Sequence, residues 1–107
     1  MVVRRLMREP IATSRFSEVE IASALARFAR EGAVSVAERD RALEQFSEDF
    51  KHFWVVELTH DVTTLARTLL VGSPLRAGDA IQLASCQYLR RELAENMSFV
   101  AFDDHLR

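Results

Sequence analysis

Leu75-Arg76-Ala77-Gly78-Asp79-Ala80-Ile81-Gln82-Leu83-Ala84 opens a helix with one carboxylate, Asp79, in its first turn. Further on, Phe99-Val100-Ala101-Phe102-Asp103-Asp104 is a short apolar strand that runs out into two more acids. A hard divalent cation such as Mg²⁺ or Mn²⁺ takes oxygen ligands, and carboxylates far apart in sequence supply them when the fold brings their element ends together. Asp103 stands at the carboxyl end of its strand, where the sites of open α/β sheets gather. A cation held there could activate water, orient a phosphodiester and neutralise the charge that develops on its oxygens during in-line attack, with no nucleophilic side chain needed.

Working outward, the spacing predicts the longest helix over 76–94 and a strand over 98–102. Gly72-Ser73-Pro74 breaks a preceding helix over 59–70, whose apolar face runs through Val62, Leu65, Ala66 and Leu69. Trp54-Val55-Val56-Glu57-Leu58, β-branched and aromatic, is the clearest strand signal. Upstream of it, Ser35-Val36-Ala37-Glu38 reads as a capping box, and Leu43, Phe46, Phe50 and Phe53 form the buried face of the helix it opens. An earlier helix has Ser17 as N-cap, Ile21, Leu25 and Phe28 on its apolar stripe, and Gly32 as its stop. Ile11-Ala12-Thr13 is a strand, and Pro10 ends a helix over 1–9. Short strands alternating with helices imply an α/β arrangement with parallel pairing.

The 107 residues make one domain, 1–107. A composition of 49% apolar and 28% charged residues, with three Gly and two Pro, is that of a folded, helix-rich protein. The apolar runs are far short of a bilayer span and the N-terminus has no signal-type core, so a cytoplasmic location is expected. Cys86 is the only cysteine, which excludes an internal disulfide and a thiolate metal cage; its neighbours Ala84 and Tyr88 suggest a packed helix face. A formal charge of −2 excludes coating of nucleic acid by bulk electrostatics, so any grip on phosphate is local. Arg4, Arg5, Arg8 and Arg15 form the densest basic cluster, read either as a phosphate grip or as a solvated helix face. His52, His60 and His105 lack the spacing of a zinc site, and Phe46, Phe50, Phe53 and Trp54 sit at core spacing rather than as a base-stacking platform.

A third candidate acid is Glu20, within Ser14-Arg15-Phe16-Ser17-Glu18-Val19-Glu20-Ile21-Ala22-Ser23-Ala24-Leu25. Each acid has a structural reading beside the functional one. Glu20 can complete a capping box with Ser17, Asp79 can answer the helix dipole or pair with Arg76, and Asp104 can cap a helix that begins near His105.

The three segments, in this order, resemble the PIN-domain family, of the kind found as bacterial toxin ribonucleases. The resemblance implies an α/β, PIN-like three-layer fold, helix-rich, with a short parallel sheet flanked by helices and short of the family pattern at both ends. Family members chelate their metal with an aspartate on an opening strand, then a helix glutamate, a helix aspartate and a strand-end aspartate. The last three map onto Glu20, Asp79 and Asp103, with Asp104 as an auxiliary; the first has no counterpart, since residues 1–19 hold only Glu9 and Glu18 as acids. By the same resemblance the chain is a Mg²⁺- or Mn²⁺-dependent ribonuclease with an RNA substrate and a small antitoxin protein covering its acidic pocket. The family's opening strand lies mid-sheet. Without it, the flanking strand edges are expected to pair with each other or with a second copy, giving a homodimer or higher oligomer. The alternatives are a non-catalytic PIN-like module for dimerisation or protein interaction, and a mostly helical structural domain whose acids are caps and salt-bridge members.

Overall fold

In the computed structural model, residues 11–93 and 98–100 are described. The expected helix over 1–9, the arginines at 4, 5 and 8, and Phe102, Asp103, Asp104 and His105 lie outside them. The chain runs β1 (Ile11–Ser14), α1 (Ser17–Arg30), α2 (Val36–Phe50), β2 (Trp54–Val56), α3 (His60–Gly72), α4 (Ala77–Leu93) and β3 (Ser98–Phe99).

Local chemistry accounts for most of the boundaries. Gly32 has φ +79, and Ala33 N–H donates to Phe28 O at 2.9 Å while Gly32 N–H donates to Ala29 O at 3.2 Å, the paired bonds of a left-handed helix stop. At the head of α2 the capping box is complete: Glu38 N–H donates to Ser35 Oγ at 3.0 Å and Ser35 N–H to Glu38 Oε1 at 2.9 Å. Thr59 caps α3 by accepting from Val62 N–H at 3.4 Å. That helix continues through Gly72, beyond the expected end at Leu70, before Ser73 turns extended at φ −150, ψ 149.

The sheet has strand order β2-β1-β3, and both pairings are parallel. β1 aligns Ala12 with Trp54 and Ser14 with Val56 on one side, and Ile11 with Ser98 and Ala12 with Phe99 on the other. Val100 N–H extends the second pairing by donating to Ala12 O at 2.8 Å. The three described strands therefore pair with one another. β2 stops at Val56 rather than Leu58, because its partner ends there: Arg15 N–H closes on Val56 O at 2.9 Å and the chain turns into α1, leaving Glu57 nothing to pair with.

All four residues of β1 are buried, so both faces of this central strand are covered, as a parallel sheet requires. α4 packs on β1 and against α3, while α2 packs on α1. The main core joins Val56, Val62, Ala66, Ala80 and Ala84, with Leu65, Leu69, Ile81 and Leu89 packed around it. Ala80 and Ala84 are fully buried one turn apart, and their small side chains let α4 sit close to its neighbours. Phe46 and Phe50 fill the α2 side, as their spacing implies; Leu43 and Phe53 are half-buried. Cys86 is a free, half-buried thiol on α4. Among the described residues no helix is long and apolar enough to cross a membrane.

Candidate functional site

The turn between β1 and α1 sets the site. Phe16 N–H donates to Ser14 Oγ at 3.1 Å, a serine turn that reverses the chain within two residues. Phe16 then occupies the N-cap position with no side-chain cap, and Val19 and Glu20 N–H groups both reach Phe16 O at 3.1 Å. Ser17, expected as the cap, is instead the first residue of α1 and fully buried. Its hydroxyl faces inward, 2.7 Å from Thr13 Oγ1, so no Ser17–Glu20 capping box forms and the Glu20 carboxylate is directed elsewhere.

It is directed to α4. Gln82 Nε2 donates to Glu20 Oε1 and, at 3.1 Å, to Ser17 Oγ. Ser17 and Glu20 are three residues apart on α1, and Asp79 and Gln82 three apart on α4; each pair shares a helix face. Gln82 thus ties the Ser17–Glu20 row to α4, one turn beyond Asp79. Gly78 leaves room beside these side chains. A Cβ on Gly78 would lie 3.0 Å from Phe16 Cε2 and 3.3 Å from Glu20 Oε2, too close unless both gave way.

Asp79 lies in the first turn of α4, half-buried, and no described residue forms an ion pair with it. Gln82 is buried and its Oε1 has no hydrogen-bond partner among the described residues. A buried acceptor left so costs about 1–3 kcal/mol unless something donates to it. Sequence reading missed Gln82. The signal it left is the position of an uncharged polar residue at i+3 from Asp79, on the face that also carries the acid.

Glu20 is thus tied to Gln82, which stands one turn after Asp79 on α4. Asp103 and Asp104 lie outside the described residues, and no group of three metal-binding side chains occurs within them. The donor chemistry suits a hard divalent cation: Glu20 and Asp79 supply carboxylate oxygens, and beside Glu20 Oε2 there is a space that a Cβ on Gly78 would fill.

Arg15 does not serve as a phosphate grip, because it is spent within the fold. Its Nε and Nη2 hold Glu57 at 2.9 and 2.6 Å, Nη1 holds Glu18, and the guanidinium lies 5.6 Å over the Phe50 ring. The Arg15 hydrogen bond keeps the Glu57 carboxyl below the usual carboxylate range. A depressed folded pKa adds stability above the ordinary carboxylate pKa and loses it as pH falls through the depressed value. Glu57 is fully exposed, so the effect on stability is small and screened by salt. Arg15→Met should bring the Glu57 carboxyl, followed by NMR titration, back up to the ordinary range. An unchanged midpoint would contradict the pairing.

A separate cavity of about 390 Å³ lies between β2 and the last turns of α4, lined by residues including Trp54, Val56, Tyr88, Leu89 and Glu92. It contains neither Glu20 nor Asp79.

No curated protein and no solved structure matches the chain. The sequence model of the PIN domain matches it over residues 1–107. With the parallel sheet and the helices packed on it, that match over the whole length makes the chain a member of the PIN-domain family, whose proteins are nuclease-type and in general dependent on a divalent metal.

Proposed function

We propose that this chain is a metal-dependent ribonuclease that hydrolyses RNA phosphodiesters, acting as the toxin of a toxin–antitoxin pair. The observation that supports the reading is Glu20 drawn out of its expected cap and held by Gln82, with its Oε2 beside Gly78 in the first turn of α4, the turn that also carries Asp79. A carboxylate serving only its own helix would have stayed on its own N-terminus. Glu20 and Asp79 would hold Mg²⁺ or Mn²⁺, with Asp103 as the third ligand and Asp104 as an auxiliary. When bound, the cation supplies the means to lower the pKa of water and to offset charge on the phosphoryl oxygens.

The chain's own residues bind and orient. Glu20 is presented by α1 with its direction fixed from α4, and Asp79 stands in the first turn of α4. An antitoxin covering the acids and a homodimer in solution complete the proposal. Sedimentation at micromolar concentration should show a species heavier than the monomer.

The test is cleavage of a labelled structured RNA by the full chain. Cutting should appear as Mn²⁺ is titrated in, stop on chelation, and fall by roughly a hundredfold in Glu20→Gln. No cutting at any Mn²⁺ concentration would leave the non-catalytic interaction module as the reading.

A further inference from the structure

We propose that Gln82 is a positioning residue for the metal site, fixing the Glu20 carboxylate from α4 through a polar seam with only one consistent set of proton directions. The inference rests on the metal-dependent reading above.

The seam runs from Val100, just past β3, to Glu20. Thr13 Oγ1 donates to Val100 O at 2.5 Å and so spends its only proton. The 2.7 Å contact between Thr13 and Ser17 must then be donated by Ser17, which spends the serine proton as well. Ser17 Oγ is left as an acceptor, and a carboxylate accepts only. The group that reaches both Ser17 Oγ and Glu20 Oε1 must therefore be the NH₂ end of Gln82. With the amide turned over, its oxygen would face a hydroxyl without a proton and a carboxylate, two repulsive contacts. Ser85 does not interfere, since its hydroxyl donates to Ile81 O at 2.7 Å. Thr13 and Ser17 are fully buried and Gln82 is 7% exposed, so water does not compete for the bonds that join these three.

Two features separate this from ordinary core satisfaction. The acid at the end of the seam is half-buried, with its Oε2 beside Gly78, rather than enclosed. The other end of the amide, Oε1, is buried and has no partner among the described residues, whereas a glutamine kept only for the fold would have both ends satisfied. Groups that orient metal ligands act this way, and their loss weakens metal binding by about 10–100-fold.

The experiment measures Mn²⁺ affinity of the full chain by calorimetry and by the loss of the free Mn²⁺ electron paramagnetic resonance signal. The variants are Gln82→Met, Glu20→Gln and the double substitution, each with its melting temperature. Methionine keeps the length and volume of the side chain and removes both polar ends. The expected result is a 10–100-fold weaker Mn²⁺ dissociation constant in Gln82→Met, and a double variant within about twofold of Glu20→Gln alone, because Gln82 acts through Glu20. A residue that merely supports the fold would shift the melting temperature while leaving the affinity unchanged, or would add its full effect in the double variant. Either of those results overturns the proposal. A wild-type chain that binds no Mn²⁺ overturns it together with the metal-dependent reading, whereas binding that survives in Gln82→Met overturns the Gln82 role alone. Should Gln82→Met not fold, the wild type still decides. Its Gln82 side-chain NH₂ resonances should be protected from exchange and should shift as diamagnetic Mg²⁺ is added; unmoved resonances at saturating Mg²⁺ overturn the proposal.

Discussion

Asp79→Asn should lower metal-dependent RNA cleavage by about a hundredfold or more, while the melting temperature stays within a few degrees of the wild type. Asparagine keeps the shape of the side chain and one oxygen and loses the charge, which is what a hard cation binds. A hundredfold loss corresponds to about 2.7 kcal/mol of transition-state stabilisation. The structural cost is smaller. Asp79 gains from the positive end of α4, an effect of about 0.3–1 kcal/mol, and asparagine is itself well tolerated at helix starts. Rate and stability are therefore expected to separate, and that separation is the diagnostic. Cleavage within threefold of the wild type, or a rate that falls only in step with the melting temperature, would return Asp79 to the role of a dipole partner.

Phe50→Ala should lower the unfolding free energy by about 3–5 kcal/mol, measured by urea denaturation. Phe50 is 9% exposed, and its ring lies 5.3 Å from Phe46 and 5.8 Å from Phe53, tilted at 49° and 56°, within the range of favourable aromatic pairing. The Arg15 guanidinium sits 5.6 Å above the same ring and adds a cation–π contact of about 0.5–1 kcal/mol. Removing the ring leaves a hole at the end of α2 and takes away the surface on which the Arg15 bridge to Glu57 rests. Against a typical total of about 5–15 kcal/mol for a domain, the loss is large. Phe53, half-buried beyond the helix end, should cost clearly less when truncated. A Phe50→Ala value under about 1 kcal/mol would mean that this side of the core collapses around the vacancy rather than keeping it.

The features legible in the sequence were those whose partners lie within a few residues. Ser35 and Glu38 satisfy each other across one turn, Gly32 supplies a positive φ, and the apolar spacing of α2 and α3 marks their buried faces. The strands could be located by their β-branched and aromatic content, although not where pairing ends, since β2 stops at the point where β1 turns away. Ser17 shows the limit most clearly. Its type and position make a good cap, and local chemistry alone would have used it so, but a buried hydroxyl 2.7 Å away in β1 and an amide 65 residues along the chain compete for the same oxygen and win. By itself the sequence determined the family, the alternation of strands and helices, and the acids to consider. Only the tertiary structure decided that Glu20 leaves its own helix start for Gln82, that Gly78 opens the space for it, and that Arg15 is committed to Glu57. Each of these is a contact between segments distant in sequence, and no local propensity encodes it.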